Sequence, residues 1–384
     1  MKVCILTHSF PPAQGAAELY IGNLARGLRG EGIDVSVLTA AHLPSLPLYE
    51  EWEGVKVYRM PMRGPPQGLN FEFMLRLPAR LREVYERERF DLLHSEHLFP
   101  IPRGGAFARE VGVPHVGVIE GISRVSPYSK IVCLVHRLLL PRAQYDVLAV
   151  WSRFLIDEFL QGWGVGGDIR IIPGGVDTEK FNPRVDGSAV RRELQDHEGQ
   201  KIIFTAKPMV KTNALGLAYV IKAMELVVRE YPGCKLVVGG AGRKKEELEE
   251  LARRLGLVRH VQFVGWIPQA RIPEYYAAAD VVVDSIIYRH AGSVTVLESL
   301  ASGRPNVLCD IECLPGEVSR PSGDVAVLVK PADAEDMARG ILELLRDEGL
   351  GRELGRRGWE FIEYNFSMGK IVKEYKVLYE ELLR

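Results

Sequence analysis

Short apolar runs alternate with amphipathic stretches along the whole chain. The first run, Val3–Thr7, reads as a strand. Ala17, Ile21, Leu24 and Leu28 then share one face of a helix from Ala16 to Arg29, which Gly30 and Gly32 stop. Further strands are expected at Val35–Thr39, Val55–Met60, Leu92–Ser95, Val116–Ile119, Val147–Trp151 and Ile169–Ile172, with a long Arg/Glu-rich helix at Phe71–Arg89. Pro173–Gly187 is rich in turn formers, has no long apolar run and reads as a linker. A second series predicts strands near Ile202–Thr205, Lys235–Val238, Val261–Val264, Val281–Asp284, Asn306–Cys309 and Val325–Val329. Its helices are expected near Leu215–Arg229, Glu246–Leu255, Ile272–Ala279, Val294–Ala301 and Ala334–Arg346, and Leu350–Tyr364 and Ser367–Arg384 end the chain. This βαβ rhythm predicts two α/β domains, each a doubly wound, mostly parallel sheet. In such sheets ligands bind outside the carboxyl ends of the strands, so strand ends that face each other across a cleft are the expected site.

Composition adds limits. At 384 residues the chain exceeds the roughly 250–300 that one core serves, which agrees with two domains. Its net charge is −1, and basic and acidic residues divide evenly between the halves, against phosphate-driven nucleic-acid binding. The five cysteines are odd in number and widely spaced, which suggests neither a disulfide framework nor a zinc site and fits a reducing cytoplasm. Cys309 and Cys313 are read as packing residues before a redox pair. The amino-terminal run is too short for a signal peptide. No stretch approaches the roughly 18 apolar residues of a membrane span. The nearest, Ile131–Leu140, is read first as a buried helix and second as one that touches a membrane surface.

Four motifs carry chemistry. Pro11–Glu18 joins the first strand to the first helix, where free amides and the helix dipole suit a phosphate and Gly15 leaves the backbone open. Ile171-Ile172-Pro173-Gly174-Gly175-Val176-Asp177 has the position of a hinge. Lys207 and Lys211 follow the first strand of the second series and can neutralise a diphosphate, although a solvated pair is the plainer reading. The fourth begins at the strand end Val281–Ser285. A loop reaches Gly292, and a helix opens at Ser293 carrying Val294, Glu298 and Arg304-Pro305. Small residues at that start suit a phosphate or sugar hydroxyls. Glu298 sits among apolar neighbours, where a carboxylate can accept both hydroxyls of a ribose. His94-Ser95-Glu96-His97 is weighed as a metal site against ordinary polarity, and ordinary polarity is preferred. The Arg76–Arg89 helix reads first as a solvated face and second as one that meets an anionic membrane carrying a lipid acceptor.

Taken together and in order, Pro11–Glu18, Ile171–Asp177, Lys207 with Lys211, Val264-Gly265, Leu297–Pro305 and Ser367–Tyr379 resemble family 4 of the retaining glycosyltransferases, of GT-B fold. The resemblance implies two facing Rossmann-like domains with a deep cleft, an acceptor side at 1–178 and a nucleotide-sugar side at 179–365, with 366–384 crossing back to the first. It implies that Gly15, Lys207 and Lys211 bind the donor diphosphate. Gly292, Ser293 and Val294 would hold the sugar and phosphate, Glu298 the ribose, and Gly265, Trp266 and Ile267 would line the base. The implied co-substrate is a UDP-, GDP- or ADP-sugar and the implied partner a hydroxyl acceptor; no metal is implied, and no Asp-x-Asp is present. The cysteine usage points to the cytoplasm, and the second readings of Ile131–Leu140 and the Arg-rich helix add the inner face of the membrane.

This chain departs from the family pattern near the reacting sugar and the diphosphate. Glu120 stands where a His is usual, and His290 where the first Glu of Glu-x7-Glu is usual. Ala206-Lys207 replaces Gly-Arg, Thr212 replaces a Gly, and the Lys207–Lys211 spacing is one residue short. Glu120 and His290 are therefore read as an exchanged pair of catalytic residues, an idea that full turnover in Glu120→Gln would sink. The rival expectations are a homologue that binds nucleotide sugar without transfer, a nucleotide-sugar 2-epimerase and, last, a dinucleotide oxidoreductase. No Gly-x-Gly-x-x-Gly opens the first helix, and Gly239–Gly242 lies too far along its domain for that fingerprint.

Overall fold

The computed structural model describes residues 1–13, 15–43, 45–62, 71–122, 127–194, 198–317 and 320–384. Gln14, within the first motif, lies outside them. The chain divides into two compact units, one of Met1–Gly175, Pro315–Glu317 and Met368–Arg384, the other of Val176–Leu314 and Val318–Ser367.

The first unit runs β1 (Lys2–Leu6), α1 (Ala16–Gly30), β2 (Asp34–Ala41), β3 (Tyr49–Trp52), β4 (Val55–Pro61), α2 (Phe71–Glu88), β5 (Leu92–Glu96), α3 (Pro100–Val111), β6 (His115–Ile119), α4 (Pro127–Leu139), β7 (Val147–Val150), α5 (Arg153–Leu155), α6 (Gln161–Trp163) and β8 (Asp168–Ile171). The strand order is β3-β4-β2-β1-β5-β6-β7-β8, parallel except for β3. Helices cover both faces, so the strands read as unbroken apolar runs rather than alternating ones. Leu6, Leu38, Phe73, Leu77, Leu81, Phe90 and Phe107 fill one face.

The second unit runs α7 (Ser188–Leu194), β9 (Lys201–Ala206), α8 (Lys211–Glu230), β10 (Cys234–Gly239), α9 (Lys245–Arg254), β11 (Val261–Gly265), α10 (Ile272–Ala278), β12 (Val281–Val283), α11 (Val294–Ala301), β13 (Asn306–Cys309), β14 (Val327–Val329), α12 (Ala334–Arg346) and α13 (Glu348–Phe366). Its six strands are all parallel, in the order β11-β10-β9-β12-β13-β14. The last helix, α14 (Met368–Leu382), belongs to the first unit, where Tyr375 and Tyr379 are fully buried and Lys376 pairs with Glu31 at 2.9 Å.

Three sequence expectations change. The supposed linker is largely built into the second unit: Val176 and Phe181 join its core, and Asp177 Oδ1 accepts the amides of Glu179 and Lys180. The edge strand β3 went unseen, although Glu53 and Gly54, with φ of 47° and 79°, make the tight turn of a hairpin. The helix read as buried, α4, is amphipathic. Cys133 and His136 face inward, His136 against the Phe99 ring at 4.4 Å, while Leu134 and Leu138 are 57% and 54% exposed. Among the described residues no helix is long and apolar enough to cross a membrane.

Candidate active site

Both sheets reverse their winding beside their first strand, between β1 and β5 and between β9 and β12. A parallel sheet opens a crevice at such a point. The chemistry-bearing side chains gather at these two places.

In the second unit, β9 leads into Lys207, β12 leads into Asp284, and α11 opens after its N-cap Ser293. Lys207 is buried. Its Nζ lies 2.9 Å from Asp284 Oδ2 and 3.3 Å from Ser293 Oγ, and it also donates to Thr295 Oγ1. Thr295 Oγ1 donates to Asp284 Oδ2 at 3.2 Å, and Asp284 Oδ1 accepts the Ile286 amide at 2.8 Å. The lysine expected from sequence is thus one half of a buried ion pair, seated against the positive end of a helix. Lys211 opens α8 and is exposed.

The glycine run Gly239–Gly242 serves this lysine. A Cβ on Gly240 would lie 2.1 Å from the Lys207 carbonyl oxygen, and one on Gly242 would lie 2.4 Å from that of Met209. The Lys207 amide donates to Gly239 O at 3.1 Å and the Met209 amide to Ala241 O at 2.8 Å. The glycines let two backbones meet, which explains them without a dinucleotide.

At the start of α11, Gly292 N–H donates to His290 Nδ1 at 3.1 Å and Ser293 N–H to the Cys313 carbonyl at 2.9 Å. Val294, as first helical residue, has an amide with no partner inside the helix. His290 accepts through Nδ1, and burial first, then the Lys207 charge, push its pKa down, so the ring is neutral with its proton on Nε2. Glu298 lies on the buried face of α11 rather than on its surface, with its pKa pushed up to about 7 by burial. Gln269 donates to its Oε1 at 3.4 Å. Gly265 takes φ +74°, Trp266 is 54% exposed and Ile267 is buried in the core.

In the first unit, α1 starts at its N-cap Gly15. A Cβ there would lie 2.0 Å from Glu18 Oε2, because Glu18 folds back over its own helix start. Arg59, buried on β4, braces the loop by donating to the Pro11 carbonyl at 2.9 Å and pairs with Glu50 at 2.6 Å. β5 ends in Glu96, fully buried; His97 follows with φ 67°, and Glu120 follows β6. His97 Nδ1 lies 3.6 Å from Glu120 Oε2. His94 Nε2 is 2.8 Å from Glu96 Oε1, and its Nδ1 is 2.5 Å from the Tyr379 hydroxyl on α14. Burial, the charges of Glu96 and Glu18 and a hydrogen bond with Glu96 raise the Glu120 carboxyl well above the usual carboxylate range. Burial pushes the His8 pKa down to about 4 and lowers those of His42 and His97. No group of His, Cys, Asp or Glu among the described residues is arranged to hold a metal ion. All five cysteines are buried and free.

Residues 17–180 match the profile described as Glycosyltransferase Family 4, and residues 188–361 match that described as Glycosyl transferases group 1. The chain belongs to family 4 of the glycosyltransferases. It is 26% identical to an uncharacterized glycosyltransferase of Methanocaldococcus jannaschii across 100% of both chains. Its fold matches sucrose-phosphate synthase of Thermosynechococcus elongatus with a TM-score of 0.81 at 21% identity, over 99% of this chain and 98% of that one. It also matches Anabaena HepE, solved in complex with UDP-glucose, with a TM-score of 0.78 at 18% identity, over 99% and 100% of the two chains. Both units are the Rossmann-like domains of the GT-B fold. In this glycosyltransferase Lys207 follows β9 and Glu298 lies on α11, and their partners Asp284, Thr295 and Gln269 had no role in the sequence reading. The acid that ends the valine run β12 was the available signal for Asp284.

Proposed function

We propose that this glycosyltransferase moves a hexosyl group from a nucleotide sugar to a hydroxyl acceptor, with retention at the anomeric carbon. One observation carries the donor assignment: a buried lysine, two hydroxyls and a helix start converge in the second unit, one turn from the buried carboxylate Glu298. Lys207 and the α11 amides stabilise the departing diphosphate, Lys211 meets its outer oxygens, and Glu298 accepts the ribose hydroxyls. The Val294 amide and the neutral His290 meet the sugar, Gly265–Ile267 flank the base, Gly15 leaves its loop open to the diphosphate, and Glu120 serves on the acceptor side. Because ammonium and helix dipole supply the positive charge, transfer is expected to persist in EDTA.

A thermal-shift screen against UDP-, GDP- and ADP-sugars tests the donor, since a ligand at 100 times its Kd stabilises by about 2.7 kcal/mol. Product analysis with and without acceptors then tests transfer. Binding without any product, or a changed sugar without acceptor, would replace this reading by a binding homologue or an epimerase.

The exposed Leu134, Leu138 and Leu139 of α4, with exposed Arg137 and Arg142 beside them, support peripheral contact with an anionic lipid surface at the cytoplasmic face. Sedimentation with anionic vesicles checks it.

A further inference from the structure

Deep in the first unit, two carboxylates meet. Among the described residues Glu96 Oε2 and Glu120 Oε1 are each buried and face no donor, and the two carboxyls are near enough to share a hydrogen bond once one of them is protonated. Two ionised carboxylates in contact repel, and each would keep an unsatisfied oxygen. A single proton between them satisfies both.

The neighbours decide which residue carries it. A phenol O–H needs an acceptor, and the Tyr379 hydroxyl faces His94 Nδ1 at 2.5 Å. With Nδ1 accepting, the ring proton sits on Nε2 and donates to Glu96 Oε1 at 2.8 Å. Glu96 therefore already accepts at one oxygen and offers the other as a second acceptor, which leaves Glu120 as the donor of the shared proton. The groups facing Glu120 agree. Glu96 comes from β5, His97 from the turn after it, and Glu18 and Tyr20 from α1. Among the described residues these are two carboxyl groups, a neutral imidazole and a phenol.

We infer that Glu96 and His94 are positioning residues that hold Glu120 as a neutral carboxylic acid, so that Glu120 meets its substrate through an uncharged oxygen that accepts a hydrogen bond from a sugar or acceptor hydroxyl. The inference rests on the assignment of Glu120 to the acceptor side, and it reverses the sequence expectation for Glu120→Gln. A Gln amide donates to Glu96 as the acid does and keeps the accepting oxygen. When Glu120 ionises at high pH, its bond to Glu96 is lost, the two carboxylates repel, and the side chain leaves its seat.

The test has two arms on the full-length protein. Infrared difference spectra between wild type and Glu120→Gln should show a protonated carboxylic acid at pH 7. That band should shift in Glu96→Gln, because the acid proton then faces a neutral amide instead of a carboxylate, and an unshifted band would show that Glu96 does not share the proton. In transfer assays Glu120→Gln should keep turnover within about tenfold at pH 7 and lose the fall in rate at high pH, while Glu120→Ala loses about 100-fold or more. Absence of the acid signal in wild type would overturn the inference. So would a 100-fold loss in a folded Glu120→Gln that still binds donor. If the acid signal is present but wild type transfers no sugar, the shared proton stands and the proposed activity falls.

Discussion

At the switch point of the second unit, a lysine ammonium pairs with one aspartate and meets two hydroxyls at the open end of a helix. At that of the first unit, Glu18, Glu96 and Glu120 stand with His8 and His97, whose pKa values burial lowers. The same winding of strands thus carries two electrostatic solutions. On the proposed function, the second unit takes the diphosphate and the ribose, and the first offers neutral and singly charged acceptors to hydroxyls. The topology fixes only where a site forms, and the residues just after each strand decide what it takes.

The largest test of this contrast is Lys207→Met. It leaves Asp284 buried without its cation and should cost about 3–5 kcal/mol in chemical denaturation. The double variant Lys207→Met/Asp284→Asn removes both charges and should regain most of that stability. If the double variant is no more stable than the single one, the buried pair is not the cause.

Next in size is Glu298→Gln. The native carboxyl has its pKa raised from 4.5 to about 7, so the folded state holds the proton more tightly than the unfolded chain does. That protonated form is favoured at low pH, and the wild type loses relative stability as pH rises from 4.5 through 7. Glu298→Gln escapes this loss. It should match the wild type near pH 4.5 and exceed it by about 3 kcal/mol above pH 7 in urea titrations. The same variant should bind nucleotide about 10–100-fold more weakly at pH 8, since two hydroxyls lose a charged acceptor. A residue that destabilises the free protein and strengthens ligand binding marks a site rather than a core position.

Smaller effects sharpen the first unit. Tyr379→Phe removes the hydroxyl that faces His94 and should lower thermal stability by about 1 kcal/mol. Leu134→Ser with Leu138→Ser on the open face of α4 should stay within about 0.5 kcal/mol of wild type and abolish vesicle binding. Retained binding would remove the membrane contact from this face.

Much of the fold is legible because both sheets are covered on both faces. Runs such as Val281–Val283 and Val147–Val150 have no polar alternative. The edge strand β3 was not legible, because Tyr49-Glu50-Glu51-Trp52 places two acids on a strand with one open side. The supposed linker misled through its prolines and glycines, although Phe181 within it packs on Tyr276 at 6.1 Å. Lys207 and Glu298 were singled out in the sequence by their places after a strand and on a helix, and Glu120 by the resemblance to the family pattern. Their protonation and pairing depend on partners far along the chain, Asp284 for Lys207 and Glu96 for Glu120, and no local pattern announces them. Likewise, nothing near His94 in sequence shows that Tyr379, on the last helix, completes its hydrogen bonds.

The most direct measurement is calorimetric titration of UDP, GDP and ADP into the wild type and into Lys207→Met/Asp284→Asn. The account predicts that one nucleotide binds the wild type and that the charge-free pair weakens it by about tenfold or more, with the fold intact by circular dichroism. Equal affinity in both proteins would contradict the claim that Lys207 holds the diphosphate.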